Sequence, residues 1–308
     1  MMPRIGLIGC GRWGRLILRD LIACGAQVHV VARSEASQSG ARAGGAAGVV
    51  GDLAALHAMD AFVVATPTAS HAATIERLLP TGRPIFVEKP MTADLASARR
   101  LARAAGDRLF VMDKWRYHPA IEAMRAEIAS GRVGEVLAIQ TVRMGWGNPH
   151  DDVSALWILA PHDLAIVLHL VGSLPRLRAV QPLTARHPSL GLTAFLAEDG
   201  LPSVEMTIGI ASPDHRRRCL VVAGRATMEL RDGYDRQIFI RDGEPGAPNA
   251  GARSMDVGGR MPLLAEIERF LGYLVGGPAP LSSAADGLLV VERLSEIQAA
   301  LAQAAASR

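Results

Sequence analysis

Three short stretches hold residue types whose spacing could do chemistry. GCGRWG (residues 9–14) sets Gly9, Gly11 and Gly14 in a GxGxxG spacing. Gly9 allows a tight turn, Gly11 lets a pyrophosphate approach the backbone, and Gly14 lets a helix pack closely on a sheet. EKP (88–90) sets Lys89 between Glu88, which could orient its ammonium, and Pro90, which ends a strand. An ammonium there is suited to stabilising negative charge developing on oxygen; the bland alternative is an exposed lysine paired with Glu88. PHD (161–163) sets His162 beside Asp163. Pro161 suits a first helical turn, Asp163 favours the helix dipole, and Gly172 supplies the stop. This predicts His162 at a helix N-terminus, whose positive end disfavours imidazolium. A neutral imidazole can take a proton from an alcohol, and its acid form can return one to a ketone.

The surrounding pattern can position these groups. RIGLIG (4–9), AQVHVVA (26–32), DAFVVATP (60–67), PIFVEKP (84–90) and RLFVMD (108–113) read as strands. Helical patterns lie between them at 11–25, 70–82 and 93–106, with an Ala-rich helical stretch after the second strand. Such alternation predicts parallel βαβ units, with ligands at the carboxyl ends of the strands. A diphosphate would then rest on the helix that opens at GCGRWG, with Arg12 and Trp13 counted among the cofactor-binding residues. After the second strand, where a NAD site usually has an acid, stand Ala32, Arg33 and Ser34. Arg33 can pair with a 2′-phosphate and Ser34 can donate to it, which favours NADP; Glu35 is close enough to keep NAD open. The alternative is an exposed arginine followed by a serine that caps the next helix.

The second half is richer in β runs: 136–146, 176–186, 192–198, 203–211, 217–224, 226–233 and 236–243, with Asp232-Gly233 and Asp242-Gly243 as turn signals. Residues 244–260 read as a Gly-rich loop. Hydrophobic residues make up 49% of the 308, enough for a substantial core, and the net charge is only +3. The one basic cluster, Arg216–Arg218, is too short to argue for nucleic acid. No apolar run is long enough to cross a membrane, and no signal peptide opens the chain. Three cysteines without a CxxC fit a reducing cytoplasm.

Four stretches together resemble the Gfo/Idh/MocA oxidoreductases: the glycine loop, ATPTASHAATIERLL (65–79), IFVEKPMTADLASARRLA (85–102) and WRYHPAIEAMRAEIASGRVGEV (115–136). The closing 261–301 is similar to the family's C-terminal helix, loop and final helix. The resemblance implies an α/β chain: an N-terminal Rossmann domain (1–118) and a C-terminal α/β domain (119–308) with a large, open, mainly antiparallel sheet. The final helix could pack back on the first domain, and the outer sheet face implies a homo-oligomer. Lys89 would hold the reacting oxygen of a small-molecule substrate and His162 would share that substrate as acid/base. Thr66 and Pro67 would shape the floor of the nicotinamide site, and His71 would reach the cofactor ribose. Arg116, at the interdomain crossing, would lie near substrate or cofactor, with a structural interdomain ion pair as the alternative. Asn148 and His150, in the polar GWGNPHDDVSALW (145–157), are expected substrate contacts. His150, Asp151 and His162 do not make a convincing metal set, and the family normally needs none.

One letter departs from the pattern. Where the family usually has an aspartate four residues before the histidine, this chain has Ile158. The expected activity is NADP-linked hydride transfer at a carbinol or ketone carbon of a sugar, sugar derivative or cyclic polyol. An imine or other biosynthetic reductase on the same fold is the second reading. A dinucleotide-binding sensor without catalysis is the third, and Ile158 is the residue that favours it.

Overall fold

The computed structural model describes residues 2–148, 153–248 and 251–306. They form two compact units, Met1–Tyr117 with Met261–Val291, and His118–Arg260 with Glu292–Arg308.

In the first unit β1 (Arg4–Ile8), α1 (Arg12–Ala23), β2 (Gln27–Val31), α2 (Glu35–Ala43), β3 (Gly48–Val50) and β4 (Ala61–Val64) are followed by α3 (His71–Leu78), β5 (Ile85–Glu88), α4 (Leu95–Ala105) and β6 (Leu109–Met112). The strands form one parallel sheet in the order β3-β2-β1-β4-β5-β6. Every residue of AFVV, IFVE and LFVM is buried. A parallel sheet covered on both faces needs such unbroken apolar strands, which explains their lack of alternation. Gly44 and Gly45 end α2, and Gly48–Val50 pairs with β2; this short strand lies in the stretch expected to be helical.

Residues 261–291, expected in the second domain, belong to the first unit. α7 (Pro262–Tyr273) packs on the sheet core beside α1. Phe270 stacks on Phe86 with ring centroids 4.7 Å apart, and Tyr273 meets Phe110 edge-on at 5.1 Å. Burying these rings outweighs the distance in sequence between them. α8 (Ala284–Ala306) begins in the first unit and ends in the second.

The second unit opens with α5 (Pro119–Ala129), β7 (Val136–Trp146) and α6 (Ala155–Val171). β8 (Leu177–Pro182), β9 (Gly191–Leu196), β10 (Ser203–Gly209), β11 (Ala211–Ala223), β12 (Ala226–Leu230), β13 (Gln237–Asp242) and β14 (Gly251–Asp256) follow. Its eight-stranded sheet runs β14-β13-β12-β11-β7-β10-β9-β8; only the β7–β10 pair is parallel. β14 corrects the loop expected over 244–260: Gly251–Asp256 pairs antiparallel along the whole of β13. Along β7, Ile139, Thr141 and Arg143 are buried, whereas Val142 and Met144 are half-buried and Trp146 is exposed. No described helix is long and apolar enough to cross a membrane.

α6 also departs from expectation. It begins at Ala155 behind the extended N-cap Ser154, so Pro161 lies inside it and His162 sits about two turns from its start. Pro161 removes one helical N–H, a loss the helix tolerates because nearly every side chain around it is buried. The argument from a positive helix end therefore does not apply to His162.

Candidate functional site

The carboxyl edge of the first unit's sheet gathers the glycine loop, Thr66–Pro67, Glu88–Lys89 and Lys114. Gly9 has φ +95°, and a Cβ there would stand 2.6 Å from the Ala65 carbonyl oxygen. A Cβ on Gly14 would collide with the Gly9 carbonyl oxygen. Both positions therefore demand glycine. Gly11 has nothing within 4 Å of where its Cβ would be, so its backbone faces open space at the start of α1. Free N–H groups and the positive helix end make that an anion cradle. The Thr66 hydroxyl is buried and has no hydrogen-bond partner among the described residues. An open glycine cradle with an orphaned hydroxyl on the neighbouring strand end fits a dinucleotide.

Arg12 and Arg33 are exposed and Trp13 is half-buried. Ser34 takes its alternative role: it caps α2, its Oγ accepting from Ser37 N at 3.2 Å. Arg33 lies near enough to Asp52 to favour its carboxylate, a smaller influence than the Ala54 N–H that Asp52 accepts. His71 does start α3, but it is buried and its ring lies 2.9 Å from both the Thr66 and Pro90 carbonyl oxygens. It ties two strand-end loops together, in place of the expected ribose contact. Arg116, only 3% exposed, donates to the Leu281 carbonyl at 2.5 Å and lies 3.5 Å from Asp286. That is an ion pair within the first unit, made with the segment that follows α7, and not the interdomain pair expected as the alternative.

The Trp13 indole N–H donates to Glu88 Oε1, and the Lys89 backbone N–H donates to Oε2 at 3.2 Å. Lys114 Nζ lies 4.4 Å over the Trp13 ring. Burial pushes the Glu88 carboxyl up, while Lys89, Trp13 and Lys114 pull against it. Two further buried acids lie nearby. Asp113, also pushed up by burial, accepts from Ser282 Oγ at 2.6 Å and feels Arg116. Glu266 on α7 is fully buried, and neither of its oxygens has a hydrogen-bond partner among the described residues. Burial, then the charges of Glu88 and Asp113, push Glu266 well above the usual carboxylate range, against the pull of Lys114. In LLAEIERFL nothing distinguishes it from an exposed helix acid; only its burial does.

Glu266 therefore lowers stability above the pH at which the unfolded chain ionises. Below about pH 4.5 both states keep the proton; above it the unfolded state releases the proton and the folded state does not. We expect Glu266→Gln to gain on the wild type by about 1.4 kcal/mol per pH unit from there up to the folded pKa. Denaturant midpoints across pH measure this. A gap that stays constant with pH would show that Glu266 ionises normally.

In the second unit, His162 is half-buried on α6, and Ile158 lies one turn before it, 7% exposed. Positions i and i+4 share a helix face, so isoleucine occupies the place beside His162 where a carboxylate was expected. Asp163 turns inward and accepts two bonds from Arg143, from Nε and Nη2, both at 2.9 Å. Burial pushes its carboxyl up and Arg143 opposes that. Asn148 Nδ2 donates to the Val153 carbonyl at 3.2 Å, closing its own loop. His150 and Asp151 lie outside the described residues.

The family model described as an oxidoreductase family with a NAD-binding Rossmann fold (Gfo/Idh/MocA) matches residues 3–111. Inositol 2-dehydrogenase of Rhizobium meliloti is 35% identical over 44% of this chain and 43% of its own length. UDP-N-acetylglucosamine 3-dehydrogenase of Acidithiobacillus ferrooxidans is 26% identical over 88% of each chain. Its solved structure superposes with a TM-score of 0.84 at 22% identity, covering 97% of this chain and 98% of that one, which establishes the shared fold. The chain thus spans less than half of the first relative's length and most of the second's.

Proposed function

We propose that this chain, whose residues 3–111 match the Gfo/Idh/MocA oxidoreductase family model, is a nicotinamide-dependent dehydrogenase or reductase of that family. Its substrate would be the carbinol or ketone carbon of a cyclic polyol, sugar or nucleotide-linked sugar, the classes named for the two relatives. The observation that carries the reading is the glycine cradle, with Gly9 at φ +95°, on the same sheet edge as Lys89. Gly9, Gly11, Gly14 and Thr66 would hold the cofactor, which supplies the hydride acceptor or donor. Lys89 would bind the reacting oxygen and stabilise its developing charge. His162 would take or return the proton at Nε2. Positioning and electrostatics are the protein's share of such chemistry.

The test is single-turnover oxidation of NADH and NADPH with a panel of ketoinositols, ketosugars and nucleotide-linked ketosugars. We expect cofactor oxidation with at least one class. Tight cofactor binding without oxidation across the panel would favour the sensor reading, for which Ile158 is the supporting residue.

NADP is the proposed cofactor. Since Ser34 is engaged as a helix cap, the preference rests on Arg33 alone. A charge-assisted pair to a 2′-phosphate predicts about tenfold tighter binding of NADPH than NADH. Arg33→Ala should erase the difference in a fluorescence titration, and equal wild-type affinities would sink the assignment.

A second copy of this chain is the proposed cover for the outer sheet face, where Val142, Met144, Leu220 and Phe195 are only partly buried and Trp146 is 73% exposed. Sedimentation velocity should find a dimer or larger at micromolar concentration, and Met144→Glu should dissociate it. A wild-type monomer at that concentration contradicts the proposal.

A further inference from the structure

Trp13 is the fifth residue of the glycine spacing, where packing against the sheet asks only for an apolar side chain. A tryptophan adds two things that a Leu or Phe does not combine: an N–H donor on its edge and a strong cation-binding face. Both are in use. The edge meets Glu88 Oε1 and the face carries Lys114 Nζ at 4.4 Å. Glu88 is 9% exposed, at the end of β5 and next in sequence to Lys89. A carboxylate buried so deeply stays ionised only if donors reach its oxygens. The indole donates to one oxygen and the Lys89 backbone N–H to the other.

We propose that Trp13 is a positioning residue: its indole N–H fixes the Glu88 carboxylate at the root of Lys89, coupling the glycine loop to the strand end that carries the lysine. The proposal rests on the dehydrogenase reading for the role of Lys89, but the indole–carboxylate link exists independently of it. A shift of the loop on binding a diphosphate passes through the indole to Glu88, and from Glu88 to the Lys89 backbone. The charged groups around Glu88 are Lys89 and Lys114 as cations and Glu266 as a further acid.

The experiment uses the full chain labelled with 15N-indole tryptophan, whose four tryptophans give four side-chain signals. Trp13→Phe assigns its signal by loss. Trp157, whose indole donates to Gln298 at 2.6 Å, is the internal control. We expect the Trp13 N–H to exchange with solvent at least tenfold more slowly than the indole N–H of free N-acetyltryptophanamide. Glu88→Gln should shift the Trp13 signal and leave Trp157 unmoved, and NADP+ alone should shift it in the wild type. If Trp13→Phe does not fold, Trp115→Phe, Trp146→Phe and Trp157→Phe assign the other three signals and leave that of Trp13 by elimination. A Trp13 N–H that exchanges as fast as the free indole, or ignores Glu88→Gln, overturns the proposal whether or not the enzyme turns over. Once a substrate is found, Trp13→Phe should bind NADPH within about threefold of wild type and slow hydride transfer about tenfold, and Trp13→Ala should weaken both. Unchanged transfer in Trp13→Phe would leave the link merely structural and overturn the positioning role. An intact indole–Glu88 link in a protein inert to every substrate counts against the dehydrogenase reading alone.

Discussion

Lys89→Met should slow single-turnover hydride transfer by about 10²–10³-fold while leaving the dissociation constant for NADPH within about threefold. The magnitude is that of removing one preorganised donor from an oxygen that gains charge in the transition state. Methionine keeps the length of the stem, so the loss is that of the ammonium. The split between rate and binding separates this role from a general electrostatic one, because a lysine that merely attracted the dinucleotide would change affinity first. Lys89 also pulls the Glu88 carboxyl down against its burial. Its loss should therefore move Glu88 further up and make the transfer rate fall at a higher pH on the acid side. Stopped-flow measurement of cofactor oxidation across pH reads both effects. Transfer within fivefold of wild type would remove Lys89 from the chemistry.

Arg143→Met should destabilise the protein by about 3–5 kcal/mol, enough to unfold many domains of marginal stability. Arg143 and Asp163 are 3% and 2% exposed and bond through two parallel contacts of 2.9 Å. Taking away the guanidinium leaves a carboxylate in the core of the second unit with, among the described residues, Arg217 remaining to favour its charge. Most of the loss is the cost of that orphaned charge, so removing both partners should recover much of it. We expect Arg143→Met/Asp163→Leu to unfold at a denaturant concentration much nearer to wild type than either single variant. Additive losses in the double variant would mean that the two side chains act separately. Asp163 follows His162 directly, so the pair also fixes the turn of α6 that presents the histidine.

What the sequence made legible was local. The glycine loop and the strand–helix alternation of the first hundred residues depend on near neighbours, and the sheet followed them strand for strand except for β3. Contacts between remote segments were not legible. Nothing in PLLAEIERFLGY says that Phe270 will stack on Phe86 or that Glu266 will be fully buried. The start of α6 was misplaced for a related reason. ALWILAPHDLAIVLHLV is apolar on all sides and so has no amphipathic phase to set its limits, and Pro161 stood out as the marker. Ser154 was the better signal, since a serine before an apolar run is a common N-cap. Ser34 had a structural role open to it from the sequence, and the packing selected it; Arg116 found partners in the remote segment after α7, which its neighbours in sequence do not announce.

The order in which the ribosome releases the chain gives the position of α7 a further meaning. All six strands of the first sheet have emerged by Met112, but Ile267, Phe270 and Leu271, which complete that core, emerge only after residues 118–260. Through that interval the nascent first unit exposes the apolar surface around Phe86 that Phe270 later covers. Exposed apolar surface in an incomplete domain is what leads to aggregation or recruits a chaperone. Neither half can be made as one uninterrupted piece: a chain stopped at Tyr117 lacks the cover of its own sheet, and the first unit closes only once residues 261–291 have followed the bulk of the second.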